Sequence, residues 1–234
     1  MSIIHWGIIG CGDVCEVKSG PAFYKCENSA LQAVMRRDAG KAADFAKRHH
    51  VPRYYTDAEE LIHDPEVDAV YVATPPSSHA KFTIKALQAG KPVYVEKPMA
   101  LNYAECLQMN QAAKENHQKL WVAYYRRSLP YFLKVKELLD NQAIGKVQRV
   151  HTTFFRPPLP CDQEASLHTW RVNKQIAGGG YFYDMAPHTI DILMFLLGNI
   201  VKATGVTGNI GHLYDVEDTV SASFLFESGV TGSA

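Results

Sequence analysis

Between Ile3 and Lys97 the chain alternates short apolar runs with stretches of helical spacing five times over, and few architectures accommodate that order. Ile3-Ile4-His5-Trp6-Gly7-Ile8-Ile9, Ala30-Leu31-Gln32-Ala33-Val34-Met35, Tyr54-Tyr55, residues 67–74 and Val93-Tyr94-Val95 read as strands. The first is almost continuously apolar, as expected of a strand covered on both faces. Helices are expected over 13–19, over 39–49, from Ala58 behind an Asp57 cap, and from a Ser77 or Ser78 cap to Gly90. A further helix over 102–118, opened by Asn102 with Glu105 three residues on, leads to a last strand at Leu120-Trp121-Val122-Ala123. Such alternation makes a parallel, doubly wound α/β sheet. It closes near Ala123, so one domain is expected over residues 1–122 and a second over 123–234.

The glycines after the first strand have a chemical use. Gly10-Cys11-Gly12 follows Ile9 directly, and Cys15 takes the third place of a Gly-x-Gly-x-x-Gly fingerprint. The first glycine makes the tight turn, the second lets a pyrophosphate approach the backbone, and the third place needs only a small residue. Asp13 and Val14 then open a short helix whose amino end faces the phosphates, and Pro21 limits its length. Any tight strand–helix turn could use such glycines, but this one opens an α/β pattern. The end of the second strand, where an acid often holds the ribose hydroxyls, carries Arg36-Arg37 with Asp38 just beyond. A guanidinium can fork onto a ribose 2′-phosphate that an acid would repel. NADP(H) is therefore expected over NAD(H); the plainer alternative is two solvated loop arginines.

The fifth strand ends in Glu96-Lys97-Pro98. The carboxyl end of a buried parallel strand is where open α/β sheets hold their ligands. Lys97 is thus a candidate catalytic group rather than an ordinary surface lysine. His79 falls in the first turn of the preceding helix, where a core or capping role is the simpler reading.

The second half differs in kind. Tyr124-Tyr125-Arg126-Arg127 could line a polar pocket or cover the seam between the halves. A helix over 130–139 with Phe132, Val135 and Leu139 on one face is followed by a strand expected over 147–155 in a half-exposed sheet. Arg156-Pro157-Pro158-Leu159-Pro160 must be a loop. Gly178-Gly179-Gly180 leads into a helix in which Asp184 and His188, four apart, share a face despite Pro187. Strands over 201–206 and 218–226 and the start of another at Val230 complete an α+β domain with an open, mostly antiparallel sheet.

Composition excludes several classes. Lys+Arg and Asp+Glu balance at 24 each, which leaves no nucleic-acid footprint or basic membrane surface. No apolar run is long enough to span a bilayer. Strand-like residues begin at Ile3, leaving no room for a secretory signal. Five scattered cysteines without a Cys-x-x-Cys pair point to reduced thiols and a cytoplasmic setting, not to a disulfide scaffold or a zinc site.

Gly7-Ile8-Ile9-Gly10-Cys11-Gly12, Ala73-Thr74-Pro75-Pro76 followed by His79, and Glu96-Lys97-Pro98 together resemble the Gfo/Idh/MocA oxidoreductases, a family that includes glucose–fructose oxidoreductase and inositol dehydrogenase. Trp170-Arg171 and the run from Gly178 through Asp184 to His188 extend the resemblance over essentially the whole chain. It implies an N-terminal Rossmann domain followed by an α+β domain for substrate and oligomerisation, with a cis bond at Lys97-Pro98. It implies cofactor contacts from Gly10, Cys11, Gly12, Asp13, Val14, Arg36, Arg37, Thr74, Pro75, His79, Glu96 and Lys97. Lys97, Asp184 and His188 would carry catalysis, and with Tyr124, Arg126, Trp170 and Arg171 they would hold a sugar, polyol or related hydroxy compound. No metal is called for. Relatives pair subunits through the open sheet, so a homodimer or homotetramer is expected. They also continue with further strands and a closing helix, which marks this chain as a fragment. The family includes non-catalytic regulators that sense sugars, and the retained Lys97, Asp184 and His188 argue against that role. A dihydrodiol dehydrogenase-like or biliverdin reductase-like activity stays open.

Overall fold

A computed structural model describes residues 2–234, which form two compact units, one running to Ala123 and one beginning at Tyr124. In the first, six strands run parallel in the order β3-β2-β1-β4-β5-β6. They are β1 (Ile4–Ile9), β2 (Ser29–Met35), β3 (Arg53–Tyr55), β4 (Ala69–Val72), β5 (Val93–Val95) and β6 (Leu120–Val122). This is the doubly wound order, and its strand direction of travel reverses between β1 and β4, where such sheets bind ligands. The helices are α1 (Asp13–Val17), α2 (Ala22–Lys25), α3 (Ala39–Arg48), α4 (Ala58–Ile62), α5 (His79–Gln88) and α6 (Tyr103–Glu115). Every residue of β4 is buried, and apolar clusters lie on both faces of the sheet. One gathers Ile9, Leu61, Val70, Leu87 and Met109; the other gathers Ile8, Phe23, Phe45 and Tyr71.

Local chemistry sets the boundaries. Asp38, Asp57 and Asn102 each accept from a backbone N–H in the first turn of α3, α4 and α6. The expected helix over 13–19 stops at Val17, and Gly20-Pro21 leads into α2 instead. Gly20 is obligatory there, since a Cβ would lie 1.9 Å from the Cys15 carbonyl oxygen. Ser78 precedes α5 but caps nothing, because its hydroxyl is turned back to Thr74 Oγ1 at 2.8 Å and to the Pro75 carbonyl.

The second unit opens with a 3₁₀ turn (Tyr125–Ser128) and α7 (Pro130–Asp140). Then come β7 (Arg149–His151), α8 (Lys174–Ala177), α9 (Tyr181–Leu197), β8 (Ile200–Gly208), β9 (Thr219–Phe226) and β10 (Thr231–Ser233). The sheet order is β7-β10-β9-β8, with β7 parallel to β10 and the other pairs antiparallel. Leu193 of α9 packs with Phe226 and Val230 in the buried cluster of this unit. The strand expected over 147–155 contracts to Arg149–His151. A strand lasts only as long as it has a neighbour to bond, and β10 pairs with those three residues alone. Phe154 and Phe155 are consequently exposed.

Candidate functional site

In the first unit the fingerprint glycines occupy different situations. Gly10 has φ +93°, and a Cβ there would lie 2.8 Å from Thr74 Cγ2 and 2.9 Å from the Thr74 amide nitrogen. Only glycine lets the β1 turn pass this close to the end of β4. Gly12 has ordinary extended backbone, and a Cβ would approach nothing nearer than the Gly10 carbonyl oxygen at 3.9 Å. Nothing in the chain requires glycine at position 12, whereas a pyrophosphate lying against the backbone would. The turn therefore fits a dinucleotide. Asp13 and Val14 open α1 beside it. Cys11 and Cys15 are fully buried, and burial pushes their thiols up to about 11 and about 12. They pack the turn and are not nucleophiles.

Arg36 lies just past β2 and sends Nη1 to the Cys11 carbonyl oxygen at 3.3 Å, which places its charge beside the glycine turn. Arg37 is exposed. Asp38 is engaged as the α3 cap, accepting from the Lys41 amide at 3.0 Å. Behind the turn, Glu16 of α1 binds Arg48 at 2.7 Å and His49 at 2.9 Å. The Arg48 hydrogen bond above all holds the Glu16 carboxyl down at about 2. That pairing ties α1 to α3.

The ends of β4 and β5 are joined by buried polar groups. Tyr71, fully buried, donates to Glu96 Oε1 at 2.5 Å, and Ser19 Oγ lies 2.9 Å from the same phenol oxygen. Burial first, and the Glu96 charge second, push the Tyr71 phenol well above its usual range, so it stays a donor. The other Glu96 oxygen accepts from the Lys97 amide at 3.1 Å. Lys97-Pro98 is cis, as the resemblance implies. His79 is 1% exposed, with Nε2 2.6 Å from the Thr74 carbonyl oxygen and Nδ1 2.9 Å from that of Pro98. Burial lowers its pKa against the pull of those carbonyls. The ring bridges the Thr74-Pro75 turn to the Lys97-Pro98 turn.

In the second unit the side chains gather along α9. Tyr181, Asp184, His188, Asp191 and Phe195 recur at three- and four-residue spacing and share one stripe. His188 is 6% exposed and Asp191 7%. Arg171 Nε donates to Asp184 Oδ2 at 3.2 Å, and its guanidinium lies 4.6 Å from the Trp170 ring centroid. Trp170 and Arg171 are thus brought to Asp184, while Tyr124 immediately precedes the 3₁₀ turn and Arg126 lies within it.

Several participants escaped the sequence. Arg127, not Arg126, forks onto Asp191, with Nε 2.9 and 2.8 Å from the two oxygens and Nη2 2.6 Å from Oδ1. The Tyr125 ring stands edge-on to His188, centroids 5.4 Å apart. Asp162, 1% exposed, accepts from the Tyr181 hydroxyl at 2.5 Å and the Leu159 amide at 2.8 Å, while Arg156 lies over the Tyr181 ring. Glu217 accepts from the Gly180 amide at 2.7 Å. It also explains the glycine run. A Cβ on Gly180 would lie 2.3 Å from the Glu217 carbonyl oxygen, and one on Gly179 would lie 2.9 Å from its carboxylate. Gly178 ends α8 in the left-handed region. Tyr125 and Arg127 belong to the 124–127 cluster and Arg156 to the proline-rich loop, but nothing local marks Asp162 or Glu217.

Comparison with known proteins agrees over both units. A family model described as "Oxidoreductase family, NAD-binding Rossmann fold" matches residues 4–124, and one described as "GFO/IDH/MocA C-terminal domain" matches residues 132–234. The chain is 47% identical over 232 residues to Oxidoreductase P35 of Formosa agariphila, covering 98% of this chain and 71% of that protein. It is 30% identical to 1,5-anhydro-D-fructose reductase of Ensifer adhaerens, covering 97% of this chain and 67% of that one. Among solved structures, the aldose-aldose oxidoreductase of Caulobacter crescentus complexed with glycerol superposes with TM-score 0.85 at 30% identity, over 99% of this chain and 70% of that chain. The chain thus spans roughly 67–71% of the length of these proteins. Among the described residues, no helix is long and apolar enough to cross a membrane, and no group of three or more His, Cys, Asp and Glu is placed to hold a metal ion.

Proposed function

Since the chain belongs to the Gfo/Idh/MocA oxidoreductase family, we propose that its protein transfers a hydride between a nicotinamide cofactor and a sugar, polyol or related small hydroxy or carbonyl compound. The observation that carries this reading is the open space at Gly12 beside the β1–β4 reversal, with Lys97 at the end of the next strand, β5. When bound there, the nicotinamide supplies or accepts the hydride. The chain's own groups manage the proton and the charge. Lys97 as a cation donates a hydrogen bond to the reacting oxygen and stabilises developing alkoxide. His188 serves as the acid and base of the reaction. Asp184 orients His188 or binds a substrate hydroxyl, and Arg171 in turn holds Asp184.

The cofactor proposed is NADP(H) in preference to NAD(H). Arg36 supports this by lying against the glycine turn, and Asp38 by being committed to capping α3. Arg36→Ala is expected to weaken NADP(H) binding by about 1.5–3 kcal/mol and to leave NAD(H) nearly unchanged. The open sheet is proposed as the seat of a homodimer or homotetramer, since Val201 and Val206 of β8 and Leu225 of β9 are exposed. A strictly monomeric protein in light scattering would refute it.

The central test is turnover on a sugar and polyol panel. Lys97→Ala and His188→Ala are each expected to lower kcat by roughly a hundred- to ten-thousand-fold with nucleotide affinity retained. Wild-type turnover by His188→Ala with an unchanged pH profile would overturn the assignment. Nucleotide binding without turnover of any compound would make the protein a sensor.

A further inference from the structure

We propose that Arg127 and Tyr125 are positioning residues for His188, Arg127 acting by clamping the 3₁₀ turn onto α9 and Tyr125 by packing its ring edge-on against the imidazole. The proposal rests on the reading of His188 as the acid and base.

An imidazole that exchanges a proton with a substrate oxygen must point its nitrogen within a few tenths of an ångström of the productive geometry. A histidine on a helix can rotate about two side-chain bonds, so something must hold the ring. Here the Tyr125 ring lies 5.4 Å from it at an interplanar angle of 76°, the edge-to-face arrangement that aromatic pairs favour. Tyr125 is itself 55% exposed, and no residue of its turn is buried. Apolar burial therefore does not fix the turn.

The fork from Arg127 supplies the attachment. Three N–H···O contacts of 2.6–2.9 Å join Arg127 to Asp191, a residue 7% exposed and three positions beyond His188. The same guanidinium lies 5.7 Å from the ring centroid of Phe195, the next residue of the stripe. A planar guanidinium can meet a carboxylate along two bonds and an aromatic ring at once, whereas an ammonium is a point charge. Two residues of a four-residue turn thus grip two residues of α9 less than one helical turn apart. Loosening one grip should release the other.

The test follows the His188 ring by NMR in the chain with isotope-labelled histidines, its signals identified by their loss in His188→Gln. Tyr125→Leu should move the His188 ring-proton shifts by removing the ring current, and Tyr125→Phe should preserve them. Arg127→Lys, which keeps the charge and loses the fork, should move them in the direction of Tyr125→Leu. In turnover, Tyr125→Leu and Arg127→Lys should each lower kcat about ten- to a hundredfold with KM and nucleotide affinity little changed, and Tyr125→Phe should restore it. A purely structural role would lower thermal stability while leaving the shifts and kcat of the folded protein at wild-type values. Wild-type shifts in Arg127→Lys, or wild-type kcat in Tyr125→Leu, would overturn the proposal. If the shifts move together while no variant, the wild type included, turns over any compound, the positioning stands and the proposed reaction falls.

Discussion

In β4 all four residues are buried, whereas β8 exposes seven in succession from Val201 to Thr207. The first sheet is covered on both faces by helices and needs nothing else to keep its strands dry. The second has a small buried cluster of Leu193, Phe226 and Val230, and it relies on ionic and polar pairs along α9 to hold its side chains. Close packing fixes a backbone without specifying chemistry, as where Gly10 meets Thr74. Directed pairs fix individual side chains, as Arg171 does Asp184.

Core truncations probe that contrast most severely. Leu61→Ala, in the large cluster of the first unit, should cost about 2–5 kcal/mol, and Phe226→Ala, in the small cluster of the second, about 3–5 kcal/mol. Chemical denaturation followed by tryptophan fluorescence and circular dichroism measures both. The small cluster has fewer neighbours to close the cavity, so Phe226→Ala should be the more damaging; the opposite order would break the comparison.

Next in size is the contrast within the glycine turn. Gly10→Ala forces a Cβ against the Thr74 backbone at positive φ, and should destabilise by roughly 2–4 kcal/mol. Gly12→Ala meets only the Gly10 carbonyl oxygen, at an ordinary contact distance of 3.9 Å, and should change stability by about 0.5 kcal/mol or less while weakening nucleotide binding. Calorimetry with and without nucleotide separates the two. Unchanged nucleotide affinity in a folded Gly12 variant would remove the reason for glycine there.

Glu16 gives a smaller, pH-dependent effect. Its carboxyl is held at about 2 in the fold against an ordinary value of 4.5. A depressed carboxyl contributes its full stability above about pH 4.5 and loses it as pH falls toward 2. Glu16→Gln should therefore cost about 1 kcal/mol near neutrality, after allowance for the partly exposed partners. The gap from wild type should close through that acid window in thermal melts. A constant gap would mean that packing, not charge, joins α1 to α3. Smallest of all, Phe155→Ser, at a side chain 91% exposed, should shift stability by about 0.5 kcal/mol or less. A larger loss would show that its surface is covered in the assembled protein.

What could be read from the sequence follows the range of the interaction responsible. The Asp57 and Asn102 caps depend on neighbours within a few residues, and the buried strands are announced by their continuous apolar runs, although their partners lie far along the chain. The four-residue spacing of Asp184 and His188 shows only that they share a helix face; their proposed roles come from the family resemblance. The Arg127–Asp191 fork joins residues 64 apart, and nothing local separates Arg127 from Arg126. Likewise the length of β7 is decided by β10, some eighty residues on, and not by the alternation in residues 147–155. Tyr71 reads as one more apolar strand residue until its hydroxyl is found on Glu96.

The fit of Glu217 over Gly179 and Gly180 carries a consequence for how such proteins can vary. Glu217, 37 positions beyond Gly180, fills with its carboxylate the space a side chain on Gly179 would take, and with its backbone carbonyl the space one on Gly180 would take. The segment between β8 and β9 is thereby fastened at one point to the beginning of α9. Substitutions at Gly179 and Glu217 are linked: a larger residue at 179 is admissible only if the carboxylate withdraws, whereas Gly180 faces backbone that no substitution at 217 removes. Exposed positions such as Ile210, His212 and Asp215 escape that linkage. An engineer wishing to shift the first turn of α9, and Asp184 with it, could act on Glu217 and leave every residue of the helix untouched.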